Sequence, residues 1–202
     1  MIEICKGNVL EPVWHDTNRL IIHCCNDLGL MGAGVALQIR KKWPIVYAAY
    51  DYWCNGNILS VEDSKKVKFF DNDRSFTLGN IQIVKVDQGV YVCNLIGQKG
   101  ISVQHIGRFT MPPVRYEALY EGFLKAREWV KSTYKPAYPN TEWTFHLPML
   151  GSKLAGGDFN IVFKKYCEAF KNTNSRSMFY ALHDEDFNLL KKIYENNKYD
   201  SI

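Results

Sequence analysis

Six short segments of this chain are apolar almost throughout, and helical patterns are interleaved with them. The strand candidates are Ile2–Cys5, Leu20–Cys25, Ile81–Val86, Tyr91–Ile96, Thr144–Pro148 and Ser177–Leu182. A strand with one wet face alternates apolar and polar residues, whereas an unbroken apolar run is covered on both faces. Helices are expected at Val35–Trp43, Ile45–Trp53, Val114–Ser132, Asp158–Lys171 and Glu185–Asn196. In the longest of these, Leu119, Phe123, Ala126 and Val130 form a stripe at helical spacing, the mark of a core-facing side. Pro112-Pro113 marks its start. The pattern implies an α/β fold with helices on both faces of a sheet. At 202 residues the chain is read as one domain, 1–202, with no internal repeat or low-complexity tract. The polar stretch Asn55–Asn80 is expected to be a surface loop with room for a hairpin, and Lys135–Asn140 a connector.

Two junctions between strand and helix carry the functional signal. After the strand ending at Asn26, Asp27-Leu28-Gly29-Leu30-Met31-Gly32-Ala33-Gly34 is a small-residue loop feeding a helix. That helix holds its basic residues, Arg40-Lys41-Lys42, in the last turn, as the macrodipole favours. After the strand ending near Leu150, Gly151-Ser152-Lys153-Leu154-Ala155-Gly156-Gly157 repeats the arrangement, with Asp158 opening the next helix. Small residues let backbone N–H groups approach an anion, and a helix N-terminus favours negative charge. Each loop alone reads equally well as a tight turn. Together they suggest a cleft at the carboxyl ends of neighbouring strands, suited to a diphosphate. Neither is a Walker loop, since no Gly-Lys-Ser/Thr follows, and glycines 29, 32 and 34 have the wrong spacing for a dinucleotide fingerprint.

His23-Cys24-Cys25-Asn26, seven residues, then Gly34-Val35-Ala36 resembles the first signature of macrodomains, the ADP-ribose-binding modules. Asn94-Leu95-Ile96-Gly97-Gln98, Val114-Arg115-Tyr116-Glu117-Ala118-Leu119 and Leu154-Ala155-Gly156-Gly157-Asp158-Phe159 resemble the branch that processes ADP-ribose 1″-phosphate. The likeness runs in order from Gly7-Asn8-Val9 to Ala181. It implies a three-layer α/β/α macrodomain with a mixed, mostly parallel central sheet. It also implies binding of ADP-ribose or ADP-ribose 1″-phosphate, with the diphosphate between Gly32, Ala33, Gly34 and Val35 on one side and Gly151, Ser152, Lys153, Leu154 and Ala155 on the other. Leu150, Asn8 and Val9 join this expected ligand-binding set, and Asn26 is expected to hold the distal ribose. His23 and Asp158 are expected to be catalytic, as proton donor or phosphate partner and as base toward water, in hydrolysis of the 1″-phosphate to ADP-ribose and phosphate. A strand-end Asn that ties its own turn, a satisfied core His and an N-capping Asp are the structural alternatives. The functional alternatives are removal of ADP-ribose from protein or nucleic acid, and a non-catalytic reader of ADP-ribosylated macromolecules. Three positions depart from the family pattern: Lys153 stands for glycine, Asn8 for aspartate, and Gln98 for the lysine that some members use in deglycosylation.

Composition restricts the classes further. Hydrophobic content of 47% and a net charge of +4 describe a mildly basic globular chain that does not require a nucleic-acid partner. No apolar run approaches the roughly 20 residues that span a bilayer, and Met1-Ile2-Glu3-Ile4-Cys5 opens as a strand, not a leader. The six cysteines contain no C-x-x-C pair and the five histidines no metal-binding spacing. Reduced thiols, a cytoplasmic setting, and no metal or cofactor are therefore expected.

Overall fold

The computed structural model describes residues 1–11, 18–102, 104–106, 109–133 and 142–198; the connector expected at Lys135–Asn140 lies outside them. The chain runs β1 (Ile2–Lys6), β2 (Asn18–Asn26), α1 (Gly34–Lys42), α2 (Pro44–Asn55), α3 (Val61–Ser64), β3 (Val67–Phe69), β4 (Ile81–Asp87) and β5 (Val90–Gln98). It continues with β6 (Gln104–Ile106), β7 (Phe109–Met111), α4 (Tyr116–Thr133), β8 (Trp143–Pro148), α5 (Phe159–Ala169), β9 (Arg176–Ala181) and α6 (Asp184–Lys198). Seven strands form one sheet in the order β1-β9-β8-β2-β5-β4-β3, and β6 pairs with β7 separately. The pairs from β1 through to β5 are parallel; β4 and β3 close the other edge antiparallel.

The sheet is covered on both faces, as its apolar strands require. One core joins Leu20 and Ile22 of β2, Cys93 and Leu95 of β5, and Phe145 and Leu147 of β8 to the stripes of α4, α5 and α6. The other joins Ile21, Val92, Ile96 and Met178 to Ile39 of α1 and to Val46, Ala49, Tyr50 and Trp53 of α2. Phe123, Phe163 and Tyr166 are fully buried, each contributing about 1.5–3 kcal/mol of hydrophobic stabilisation.

All six expected strands are present; every helix boundary shifts by about one or two residues, and the polar loop holds further elements. α4 begins at Tyr116 because Val114 bridges to Gln98 and Arg115 N–H donates to Gly97 O at 2.8 Å. α2 opens one residue early on Pro44, whose fixed φ suits a first helical position. The Asn55–Asn80 stretch holds α3 and β3, the latter hairpinned onto β4. All six cysteines are free thiols. Among the described residues no helix is long and apolar enough to cross a membrane.

Candidate functional site

β2 and β8 are adjacent and parallel, Asn18 to Ile21 lying beside Trp143 to His146, so their outgoing loops emerge side by side. Between these loops is a cleft of about 620 Å³, the size of a small-ligand site. Its wall from the first loop is Leu30, Met31, Gly32, Ala33, Gly34, Val35 and Ala36, and its wall from the second is Pro148 through Ala155. Gly34 adopts φ +56, a conformation open to glycine. A Cβ there would sit 3.3 Å from Leu154 Cδ1, which shows how closely the loops approach. Ala33 occupies the N-cap of α1 with no side-chain cap, and no acidic residue stands in the first turn. That helix end therefore meets the cleft without a carboxylate on it. Arg40 and Tyr47 complete the rim, the guanidinium lying 3.9 Å from the ring centroid.

The second loop is closed by its own backbone. Gly157 N–H donates to Gly151 O at 3.1 Å, Ala155 N–H to Ser152 O at 3.1 Å, and Ser152 Oγ–H to Met149 O at 2.7 Å. A Cβ on Gly157 would lie 2.3 Å from Gly151 O and 2.6 Å from Val114 Cγ1. Backbone cannot yield as a side-chain tip can. Gly157→Ala is therefore expected to open the loop, lowering stability by about 1–3 kcal/mol and weakening ligand binding, as thermal melting and titration would read.

The sequence-derived residues fall into three groups. Gly32, Ala33, Gly34, Val35, Leu150, Gly151, Ser152, Lys153, Leu154 and Ala155 all line the cleft, with His23 and Asn26 at its floor. Asn8, Val9 and Asp158 do not. Asn8 Oδ1 accepts from Leu10 N–H at 3.0 Å, and Val9 is buried in the α1/α2-side core. Asp158 stands at the N-cap of α5 and accepts from Asn160 N–H at 2.8 Å, while its own N–H donates to Tyr116 Oη at 2.9 Å. It lines a separate hollow between α5 and α6, with Lys164, Lys192 and Asn197. The two expected catalytic residues are thus not brought together.

His23 lies on the α2 side of the sheet, fully buried. Gln82 Nε2 donates to Ala49 O at 2.8 Å, and Asn94 Nδ2 donates to Gln82 Oε1 at 2.9 Å. A backbone carbonyl only accepts, so the direction of the chain is set from that end. Asn94 Oδ1 must then accept from His23, 2.6 Å away at Nε2, which places a proton on Nε2. Burial pushes its pKa down to about 4, against a small opposing effect of the Asn94 hydrogen bond. Its Nε2–H is engaged by Asn94.

Asn26 is also engaged. Its Oδ1 accepts from Leu28 and Leu30 N–H at 3.0 and 3.1 Å, and its Nδ2 donates to Leu30 O at 2.6 Å. Tyr50 Oη–H donates to Asn26 O beneath it. The carboxamide shapes the first loop, leaving one N–H for a ligand. Lys153 takes φ +51 and pairs through Nζ with Asp186 of α6. Burial pushes the Cys24 thiol up to about 12, so this floor residue is no nucleophile.

Sequence reasoning did not assign Gln98 and Ile101 to the cleft, though both line it. The available signal was register: Gln98 ends β5 directly beside Asn26. Among the described residues no carboxylate lines the cleft. Among the described residues no group of three His, Cys, Asp or Glu is placed to hold a metal.

Comparison with protein-family models and with curated proteins gives no match, whereas solved structures do match. A protein of unknown function from Bacteroides thetaiotaomicron is 28% identical with a TM-score of 0.71, over 90% of this chain and 98% of that one. A macrodomain protein from Streptomyces coelicolor is 28% identical with a TM-score of 0.62, over 91% of this chain and 100% of that one. Thermosipho africanus DarTG in complex with ADP-ribose is 16% identical with a TM-score of 0.53, over 91% of this chain and 42% of that one.

Proposed function

Since this chain carries the macrodomain fold, we propose that it binds ADP-ribose and reads molecules that bear it, without side-chain acid–base turnover. The observation that carries this reading is the pair of glycine loops facing each other across one cleft, with the uncapped N-terminus of α1 between them. A diphosphate there receives backbone N–H groups and the positive end of a helix. At the end of the cleft beside β5, Gln98 and the remaining Asn26 N–H can hold the hydroxyls of the distal ribose. The ADP-ribose complex of the Thermosipho protein, alike in fold, supports the same ligand.

Hydrolysis of ADP-ribose 1″-phosphate was the sequence-derived reading. It needs a proton donor or base at the distal ribose. His23 is buried with its Nε2–H engaged by Asn94, Asp158 lies in another hollow, and among the described residues no cleft-lining side chain is a carboxylate. The same lack weighs against removal of ADP-ribose from protein or nucleic acid. ADP-ribose at 100 times its Kd is expected to raise unfolding stability by about 2.7 kcal/mol. Alongside it, phosphate release from the 1″-phosphate is expected to stay at the no-protein rate. An unchanged melting curve at millimolar ADP-ribose would remove the binding reading. Phosphate release lost in His23→Asn would restore the enzymatic one.

A further inference from the structure

Lys153 is the one cation on either phosphate-facing loop, and its side chain is turned toward α6. Its Nζ meets the carboxylate of Asp186, whose side chain is only 16% exposed while that of Lys153 is 60% exposed. Asp186 belongs to the acidic first turn of α6, with Asp184 and Glu185 beside it. The α6 end thus offers the ammonium a fixed acidic partner, favoured there by the helix dipole. The same lysine borders the cleft, next to Ser152 and Leu154. Its backbone holds φ +51, a region that costs a residue with a Cβ about 1–2 kcal/mol, so the loop keeps Lys153 at a strained position where glycine would sit freely. A flexible stem with a partly exposed head can reach one anion or another, and here Asp186 has taken it.

We infer that Asp186 is a positioning residue that withholds Lys153 from the cleft and thereby sets how strongly the site binds a diphosphate. This rests on the ADP-ribose reading above for the natural ligand, and on the geometry alone for the anion site. With Asp186 charged, the diphosphate is held by backbone N–H groups, and Lys153 adds nothing. With Asp186 neutral, the ammonium is free to face the ligand across the same loop. The gain is of ion-pair size, about three- to tenfold in Kd, and it is electrostatic, so salt removes it.

The test is calorimetric titration of ADP-ribose and of inorganic pyrophosphate into the wild type, Asp186→Asn, Lys153→Met and the double variant, at low and high salt. Asp186→Ser serves as a second neutral variant, and melting curves confirm folding. Asp186→Asn is expected to bind both probes about three- to tenfold tighter at low salt, and no tighter at high salt. The double variant is expected to lose the gain and bind no tighter than Lys153→Met alone. A merely structural role for Asp186 would not be reversed by removing Lys153. Tenfold weaker binding by Lys153→Met alone would overturn the inference, as would a gain that persists in the double variant, or no gain at all. Tighter pyrophosphate binding without any ADP-ribose binding would uphold Asp186's role and reject ADP-ribose as the ligand. ADP-ribose binding that ignores all three substitutions would do the reverse. Failure of both probes on every protein would reject both.

Discussion

Asn94→Leu is expected to destabilise the fold by about 2–6 kcal/mol, because two buried polar groups lose their partners at once and each orphan costs about 1–3 kcal/mol. Leucine approximates asparagine in size, so the cost is polar and not steric. His23 Nε2–H and Gln82 Oε1 both end on Asn94, and all three side chains are fully buried. Urea unfolding of wild type and variant, with equal m-values, measures the difference. A loss under about 1 kcal/mol would mean that the network contributes little and that His23 is free to do something else. This network also explains why a histidine occurs within an apolar strand: it ties β2 through β5 and β4 to the Ala49 carbonyl of α2.

Acidification should begin to destabilise the protein well above the carboxylate range. His23 and His146 are both buried, and both have pKa values pushed down to about 4 from an ordinary 6.5. Burial is the main cause for each; Arg19 and Arg176 add to it for His146. His146 is held between Thr144 Oγ1 at 2.8 Å and Tyr180 Oη at 2.9 Å. The unfolded chain takes up protons at these rings near pH 6.5, whereas the folded chain does so only near 4. Stability is therefore intact above about pH 6.5 and falls as the pH drops toward 4, by about 3 kcal/mol for each histidine. The two together remove about 6 kcal/mol by pH 4, a large share of the about 5–15 kcal/mol that a natural domain holds, so resistance to denaturant should fall steeply across this window. Denaturant melts from pH 7.5 down to pH 4.5 test the slope. A profile of half the slope would show that one ring keeps an ordinary pKa in the fold, and a flat one that both do.

The layers and the strands were legible because burial on both faces removes polar residues from a strand, and the eye needs no long-range information to see that. The two loops were legible for a similar reason: small residues at a strand–helix junction limit the backbone locally. What escaped depends on distant parts of the chain. Whether His23 faces the ligand or α2 is decided by Asn94 and Gln82, and those residues reach it only through the register of β5 and β4. Asp158 follows a loop that looks like part of the site, yet the turn from Ala155 to Gly157 carries the start of α5 to the other side. Asn8 satisfies its own turn, a local bond that sequence cannot tell from a ligand bond. Lys153 sits in a loop read as phosphate-binding, but its partner is 33 residues further on. Gln98 enters the site only because β5 lies beside β2.

Calorimetric titration with ADP-ribose, against AMP as the half-ligand, tests the central claim most directly. In the proposed complex the facing loops hold the diphosphate and the strand ends the distal ribose, so binding energy is expected to reside in the half that AMP lacks. ADP-ribose is expected to bind at least about tenfold more tightly than AMP, a difference of about 1.4 kcal/mol or more, and Gly157→Ala is expected to erase most of that advantage. Equal affinity for the two ligands, or no heat from ADP-ribose at millimolar concentration, would contradict it.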